Sequence, residues 1–457
     1  MVDPRERAIA IDTEDRLPGH GQPHFFDQLP DRGRARCLRS VAEPSLGQIR
    51  VGRVDGTSRE GDIPGKEPVV ERSLDDEHLR SIRAIANRDQ RCREAHLLTH
   101  RARCYPRART LEPVDVRDAI ASAIRDHGPI TFAEYMELAL YGSGGFFEDP
   151  PIGPDGHFVT SPHVHPVFAE LLARAITDLH RRLGEPRPFG VTEVGAGAGM
   201  LARQLLDHLR EVDVAYTAVE RSPGARRALE AIEGIRVAKR LEGSPQLILA
   251  NELMDNLPFR RLRGTASGTK EVLIGLDGDR LVERLGDPSP GDDVALGDGD
   301  EAVLPDGALA SIEEIAARLA HPGYALLIDY GGVGEPGGPP HGYRAHRPVE
   351  DLLDRPGSTD ITSGLDFELI GAHAEKQGLI AFPSVTQRHA LTALGFDHWV
   401  HEQLRWQAEL LSRREGLDAA RAWSGRSRAT LLVDPSALGR LRWLLLATPG
   451  LQAPSWI

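Results

Sequence analysis

The segment VTEVGAGAGMLARQLLDHL holds the residues best suited to chemistry. A short apolar strand ends at Glu193–Val194, Gly195, Gly197 and Gly199 follow, and a helix begins at once. Glycines let the backbone turn tightly and approach a ligand that any side chain would obstruct. The exposed amides at the helix start then meet an anionic group. A dinucleotide fingerprint wants a glycine three places after its second one, and Met200 stands there instead.

An acidic residue followed by glycines at every second position is the arrangement that binds S-adenosylmethionine (SAM). Glu193 would then lie near the ammonium group of the methionine portion. Glu220 ends the next strand, YTAVE, where a carboxylate accepts both hydroxyls of a ribose. A third element, LILANELMDNLPF, sets Asn251, Glu252 and Asp255 just beyond an apolar strand. Polar groups at that edge would face the transferring methyl. Asp329 and Tyr330 end a further strand, YALLIDY, and could line the same cleft.

The elements that must position these groups alternate. Strands are expected at 189–194, 215–220, 247–251 and 324–330, with helices at 200–209 and 223–232 between the first three. Such alternation specifies an α/β fold, a parallel sheet covered by helices. Ahead of it come a helix over 114–126 and a second one, FAEYMELALYG, capped by Thr131 with Glu134 at the capping-box position. A glycine- and proline-rich loop from Gly142 to Pro166 leads to an amphipathic helix bearing Phe168, Leu172 and Leu179 on one face. Residues 264–300 read as an inserted hairpin joined at Asp277–Gly278. A final strand near Leu441–Ala447 would close the sheet edge.

Residues 1–110 read differently from 111–457. They carry 21 basic and 18 acidic residues, whereas the remainder carries 34 and 50, so the net charge of −13 belongs to the main body. Arg, Gly, His and Pro recur there without periodicity, and the expectation is a low-order extension, or one that an upstream start codon adds and the native protein lacks. Its Cys37, Cys92 and Cys104 are the chain's three cysteines and match no zinc pattern, which leaves thiol chemistry out of the main body. His157, His163 and His165 stand at no settled metal spacing, so no metal is expected. Trp399, Trp406, Trp423 and Trp443 read as packing residues. An acidic surface argues against nucleic acid, and no stretch is long enough for a membrane span. The charged start, MVDPRERAIAIDTEDR, lacks the apolar core of a secretory signal, so a soluble cytoplasmic protein is expected.

With these motifs in order, the chain resembles the MidA family of SAM-dependent methyltransferases. The resemblance runs from about Val114 to Leu446 through GPITFAEYMELALYG, GHFVTSPHVHPVFAELLA, TEVGAGAGMLA, ANELMDNLPF, LLIDYGG and ITSGLDFELI. It implies a Rossmann-like class I methyltransferase sheet and SAM as methyl donor. The implied acceptor is a protein arginine, and the implied partner a subunit of respiratory complex I. Family members usually carry other residues where Ala196, Ala198, His163, Phe146, Phe147 and Asn256 stand. An arginine guanidinium is charged and a poor nucleophile at neutral pH. Glu252 and Asp255 are the candidates to orient it and hold its charge away from the attacked nitrogen, with Asn251 as a hydrogen-bond partner. Two alternatives stay open: a SAM-fold assembly factor without chemistry, and a nicotinamide-dependent oxidoreductase, which the glycine spacing disfavours.

Overall fold

The structure, a computed structural model, describes residues 115–148, 160–290, 292, 294–334, 338–344 and 347–457. The expected low-order extension with its three cysteines, and His157, lie outside these residues.

Helix α1 (Val116–His127) starts where the Asp115 side chain accepts the Arg117 amide, and it buries Val116, Ile120 and Ile124. A two-residue strand β1 (Ile130–Thr131) leads into α2 (Phe132–Met136), and the Thr131–Glu134 capping box is complete. The next residues, Glu137–Tyr141, wind as a π-helical turn. This wider turn is rare and concentrates at functional sites. Here it brings Glu137 and Tyr141 to the wall of a cavity.

The amphipathic helix α3 (Val167–Arg182) precedes β2 (Phe189–Val194), α4 (Met200–His208), β3 (Val214–Val219), α5 (Pro223–Leu229), β4 (Ile235–Ala238) and β5 (Leu247–Asn251). Next come β6 (Arg260–Thr265), β7 (Gly268–Asp277), β8 (Arg280–Gly286) and β9 (Glu301–Leu304). Helix α6 (Asp306–Arg318), β10 (Tyr324–Asp329) and α7 (Phe367–Lys376) follow. Three further helices, α8 (Gln387–Ala393), α9 (Phe396–Ser412) and α10 (Gly416–Ala429), precede β11 (Arg442–Ala447).

The central sheet has eight strands. Its parallel part runs β4-β3-β2-β5-β10, and β11 pairs with β10 in the opposite sense, Leu326 facing Leu445. From β2 the chain steps outward through β3 and β4, then returns to build β5 and β10 on the other side. The strand order therefore reverses between β2 and β5, and open sheets bind ligands beyond the carboxyl ends of strands at such a point. Both faces are covered. Leu247, Leu249, Leu326 and Ile328 point to a core shared with α3, α4 and α8. Ile248, Ala250, Ala325 and Leu327 alternate to the other face, against α6 and α7. This two-sided burial explains the unbroken apolar runs LILA and ALLI.

The inserted region is larger than a hairpin. Strands β6 to β9 form an antiparallel sheet that β1 joins along β7. The turn between β7 and β8 lies one residue later than expected: Asp277 pairs with Arg280, leaving Gly278–Asp279 as the loop, with Gly278 at φ +58°. A two-residue hairpin loop needs positive φ at its first position, and glycine supplies it there. The α1–α2 segment packs on this second sheet, Phe132 stacking on Phe259 at 5.5 Å.

Leu249 is fully buried in the middle of β5. Replacing it with Ala removes contacts on a strand hydrogen-bonded on both sides, and should cost ~2–5 kcal/mol. Urea unfolding of the Leu249→Ala protein checks this.

Candidate active site

A cavity of about 740 Å³ opens beyond the carboxyl ends of β2, β3 and β5. Its floor is the loop after β2. Gly195, Gly197 and Gly199 all have positive φ, +74°, +54° and +82°. At two of them a Cβ would also press on the end of a neighbouring side chain. A Cβ on Gly195 would stand 2.7 Å from Leu253 Cδ1, and one on Gly199 would stand 2.4 Å from Ile232 Cδ1. The loop is pinned from behind: the amides of Gly195 and Ala196 donate to the Val219 carbonyl at 2.9 and 3.1 Å.

Three carboxyls surround this floor, one from each strand end. Glu220 accepts the amides of Gly197 and Ser222, each at 2.8 Å. It thus ties the glycine loop to the end of β3. A carboxylate keeps further lone pairs after two such bonds, so Glu220 can still take ribose hydroxyls. Glu193 lines the cavity from β2 and accepts a 2.7 Å hydrogen bond from the Tyr216 hydroxyl on the neighbouring strand. Burial pushes its carboxyl up to about 7. Glu252, the residue just past β5, accepts the Ser161 amide at 2.8 Å and the Asn251 side-chain amide at 3.3 Å. Burial raises it to about 7 as well, with the nearby Asp329 adding to the shift. Its φ is +51°. A left-handed glutamate is costly and persists only where its surroundings enforce it.

Asn251 also lines the cavity, and its Oδ1 is buried with no hydrogen-bond partner in the structure. A buried acceptor left alone costs ~1–3 kcal/mol. It is an open place for an N–H donor. The glycine cradle, the three carboxyls and this orphan acceptor together fit a cofactor carrying an ammonium, a sulfonium and a ribose.

Asp255 sits differently from the expectation. It is buried, and it is absent from the cavity wall. Burial, with Asp329 and Asp360 nearby, holds its carboxyl well above the usual range, and it hydrogen-bonds Asp329. Asp329 is also away from the wall. Its Oδ2 accepts the amides of Leu253, Met254 and Asp255 at 3.0, 2.6 and 3.4 Å, and its Oδ1 accepts the Tyr330 amide at 2.8 Å. Burial raises Asp329 to about 6 against the pull of those amides. Asp255 therefore keeps the proton and Asp329 the charge. Tyr330 is another residue absent from the wall. Asp255, Asp329 and Tyr330 are thus not brought to the cavity, because the strand ends that carry them turn inward.

Several wall residues carry no clear mark in the sequence. The π-turn contributes Glu137 and Tyr141; Glu137 pairs with Arg221, whose guanidinium lies 4.3 Å above the Tyr141 ring. Their spacing within an apolar helix is the one available signal. His163 and Thr160 also line the cavity, with His163 Nδ1 2.7 Å from Thr160 Oγ1. Among the described residues no group of His, Cys, Asp and Glu is arranged to hold a metal ion, and no helix is long and apolar enough to cross a membrane. Trp399 and Trp443 are buried as packing residues, but Trp406 and Trp423 are about half exposed on α9 and α10.

Residues 171–384 match a family of S-adenosyl-L-methionine-dependent methyltransferases. Among curated proteins, the chain is 30% identical to the mitochondrial protein arginine methyltransferase NDUFAF7 homolog of Drosophila melanogaster, over 57% of this chain and 70% of the relative. It is equally similar, 30%, to mitochondrial protein arginine methyltransferase NDUFAF7 of Mus musculus, over 60% of this chain and 72% of the relative. A solved structure of a COG1565 superfamily member from Burkholderia thailandensis, bound to S-adenosyl-homocysteine, superposes with a TM-score of 0.63 at 24% identity. That match covers 74% of this chain and 92% of the other, and bears on the fold. The expected cytoplasmic location is overturned here, because these curated relatives are mitochondrial proteins.

The raised carboxyls make stability depend on pH. Glu193, Glu252 and Asp360 sit near 7 in the fold, against an ordinary value of roughly 4 in the unfolded chain. The folded state therefore holds extra protons between those values. The stabilisation is complete below about 4 and is lost as pH rises through about 7. The thermal midpoint of the free protein should fall on the order of 5 °C from pH 6 to pH 8. Glu193→Gln, which keeps an acceptor for Tyr216, should flatten part of that fall in calorimetric scans. Separately, Gly199→Ala should weaken binding of the demethylated cofactor ~10–100-fold in titration calorimetry, from the backbone strain alone.

Proposed function

The chain belongs to the MidA family of SAM-dependent methyltransferases, and from that premise we propose that it methylates a nitrogen of a protein arginine. The observation that supports this most is Glu252: a carboxyl held in a left-handed turn, in the same cavity as the glycine cradle, beside the unpartnered Oδ1 of Asn251.

When bound, SAM supplies an electrophilic methyl on a sulfonium. The amides of the Gly195–Gly199 loop, Glu220 and Glu193 are the residues that would hold it, Glu220 at the ribose and Glu193 toward the ammonium. The remaining task is to position the acceptor, since an in-line displacement gains most from orientation. Glu252 accepts N–H groups of the guanidinium and draws its charge onto the nitrogens that are not attacked. Asn251 orients the same group through Oδ1. Asp255 has no part in holding the guanidinium; through its hydrogen bond to Asp329 it supports the loop on which Glu252 stands. The acceptor arginine is proposed to belong to a subunit of respiratory complex I, which the family resemblance implies and the mitochondrial relatives support.

Glu252→Gln should leave affinity for the demethylated cofactor within ~2-fold while lowering turnover ~100-fold, because charge stabilisation at the reacting centre is lost. Calorimetry and a methyl-transfer assay on an arginine peptide separate the two. Mass spectrometry of lysates with and without the gene should show a methylarginine on a complex I subunit that depends on the chain. Cofactor binding with no methylated peptide in that comparison would favour an assembly factor without chemistry.

A further inference from the structure

Arginine methylation releases a proton. The guanidinium enters with one positive charge and the sulfonium with another; the methylated guanidinium keeps one, the thioether product is neutral, and one proton must leave. Glu252 already accepts the Ser161 amide and is assigned the N–H groups of the guanidinium, which leaves room for a second group to receive the proton.

We propose that His163 is that proton acceptor, a catalytic residue contributed by the one-turn helix that also ties down Glu252. The inference rests on the methyltransferase reading above. Ser161–Val164 forms a single helical turn. Its Ser161 amide donates to Glu252, and Thr160, Pro162 and His163 all line the cavity. The turn is anchored from below, since Gln204 donates to the Pro162 carbonyl at 3.2 Å. The Ser161 amide thus links the turn that carries the imidazole to Glu252.

The Thr160 hydroxyl is the hydrogen-bond partner of the ring. Nδ1 lies 2.7 Å from Thr160 Oγ1; in the tautomer proposed, with hydrogen on Nδ1, the ring donates to that hydroxyl. Nε2 then keeps its lone pair for the cavity. Burial lowers the His163 pKa below its usual value, so the ring is neutral at physiological pH and able to accept. The step balances: a nitrogen lone pair forms the N–C bond, the S–C bond breaks with its electrons passing to sulfur, and the proton on the attacked nitrogen moves to Nε2. It is later lost to solvent through the open mouth of the cavity.

The test uses the full chain, an arginine-containing acceptor peptide and SAM. His163→Gln should lower kcat ~100-fold with KM within ~3-fold, and should keep the calorimetric heat for the demethylated cofactor. His163→Glu, which restores a proton acceptor on the same turn, should hold kcat within ~10-fold of wild type. His163→Ala should recover ~10-fold of its lost rate on addition of free imidazole, which a role in packing would not produce. Wild-type kcat in His163→Gln overturns the proposal, as does loss of cofactor heat in that variant or the absence of imidazole rescue. If the wild-type chain itself binds SAM and leaves arginine peptides unmethylated, the arginine reading fails and this inference falls with it; activity in wild type with indifferent His163 variants sinks the inference alone.

Discussion

Four backbone amides converge on the carboxylate of Asp329. That single buried anion at the end of β10 shapes everything beyond β5. It draws the chain at Leu253–Asp255 inward immediately after the strand, and the turn needed to get there leaves Glu252 in a left-handed conformation. Leu253 lies across Gly195, 2.7 Å from where a Cβ there would stand. The glycine loop and Glu252 are thus coupled through one leucine and one aspartate, neither of which needs contact with a ligand to do so.

The site is built at an energetic cost. Glu193, Glu252, Asp255, Asp329 and Asp360 are carboxyls removed from water, and burial raises each of them. Protons and backbone amides offset that cost in the free protein. A cationic ligand offers a better offset for Glu193 and Glu252, which line the cavity, since an opposite charge favours the ionised form. A cationic group is therefore favoured beside these two carboxyls. Asn251 Oδ1 adds direction to that preference, because an orphan acceptor rewards only an N–H that points along its lone pair.

The N-terminal helices contribute more than an appendage. A capping box starts α2, and the π-turn that continues it supplies Glu137 and Tyr141. The Glu137–Arg221 pair then joins this segment to the end of β3, so the cavity is walled from two separate hydrophobic cores. One core belongs to the Rossmann-like sheet and sets the cofactor floor. The other belongs to the inserted strands and holds the opposite wall against it.

Much of this was legible in the residues alone. Apolar runs ending in polar residues marked the buried strands, the Thr131–Glu134 spacing marked a helix start, and glycine spacing after an acidic residue marked the cofactor loop, because each is a local consequence of backbone geometry. Helices α6 to α10 were not legible in the same way. Their apolar stripes are broken by alanine and charge, and only packing on the sheet tells such stripes from solvated ones. Carboxyl roles were the least legible. Asp255 and Glu252 belong to one short polar stretch and look equivalent on paper. Which of them faces the cavity was decided by Asp329, 76 residues beyond Leu253, because a strand end can be turned inward only by a partner the tertiary fold brings beside it.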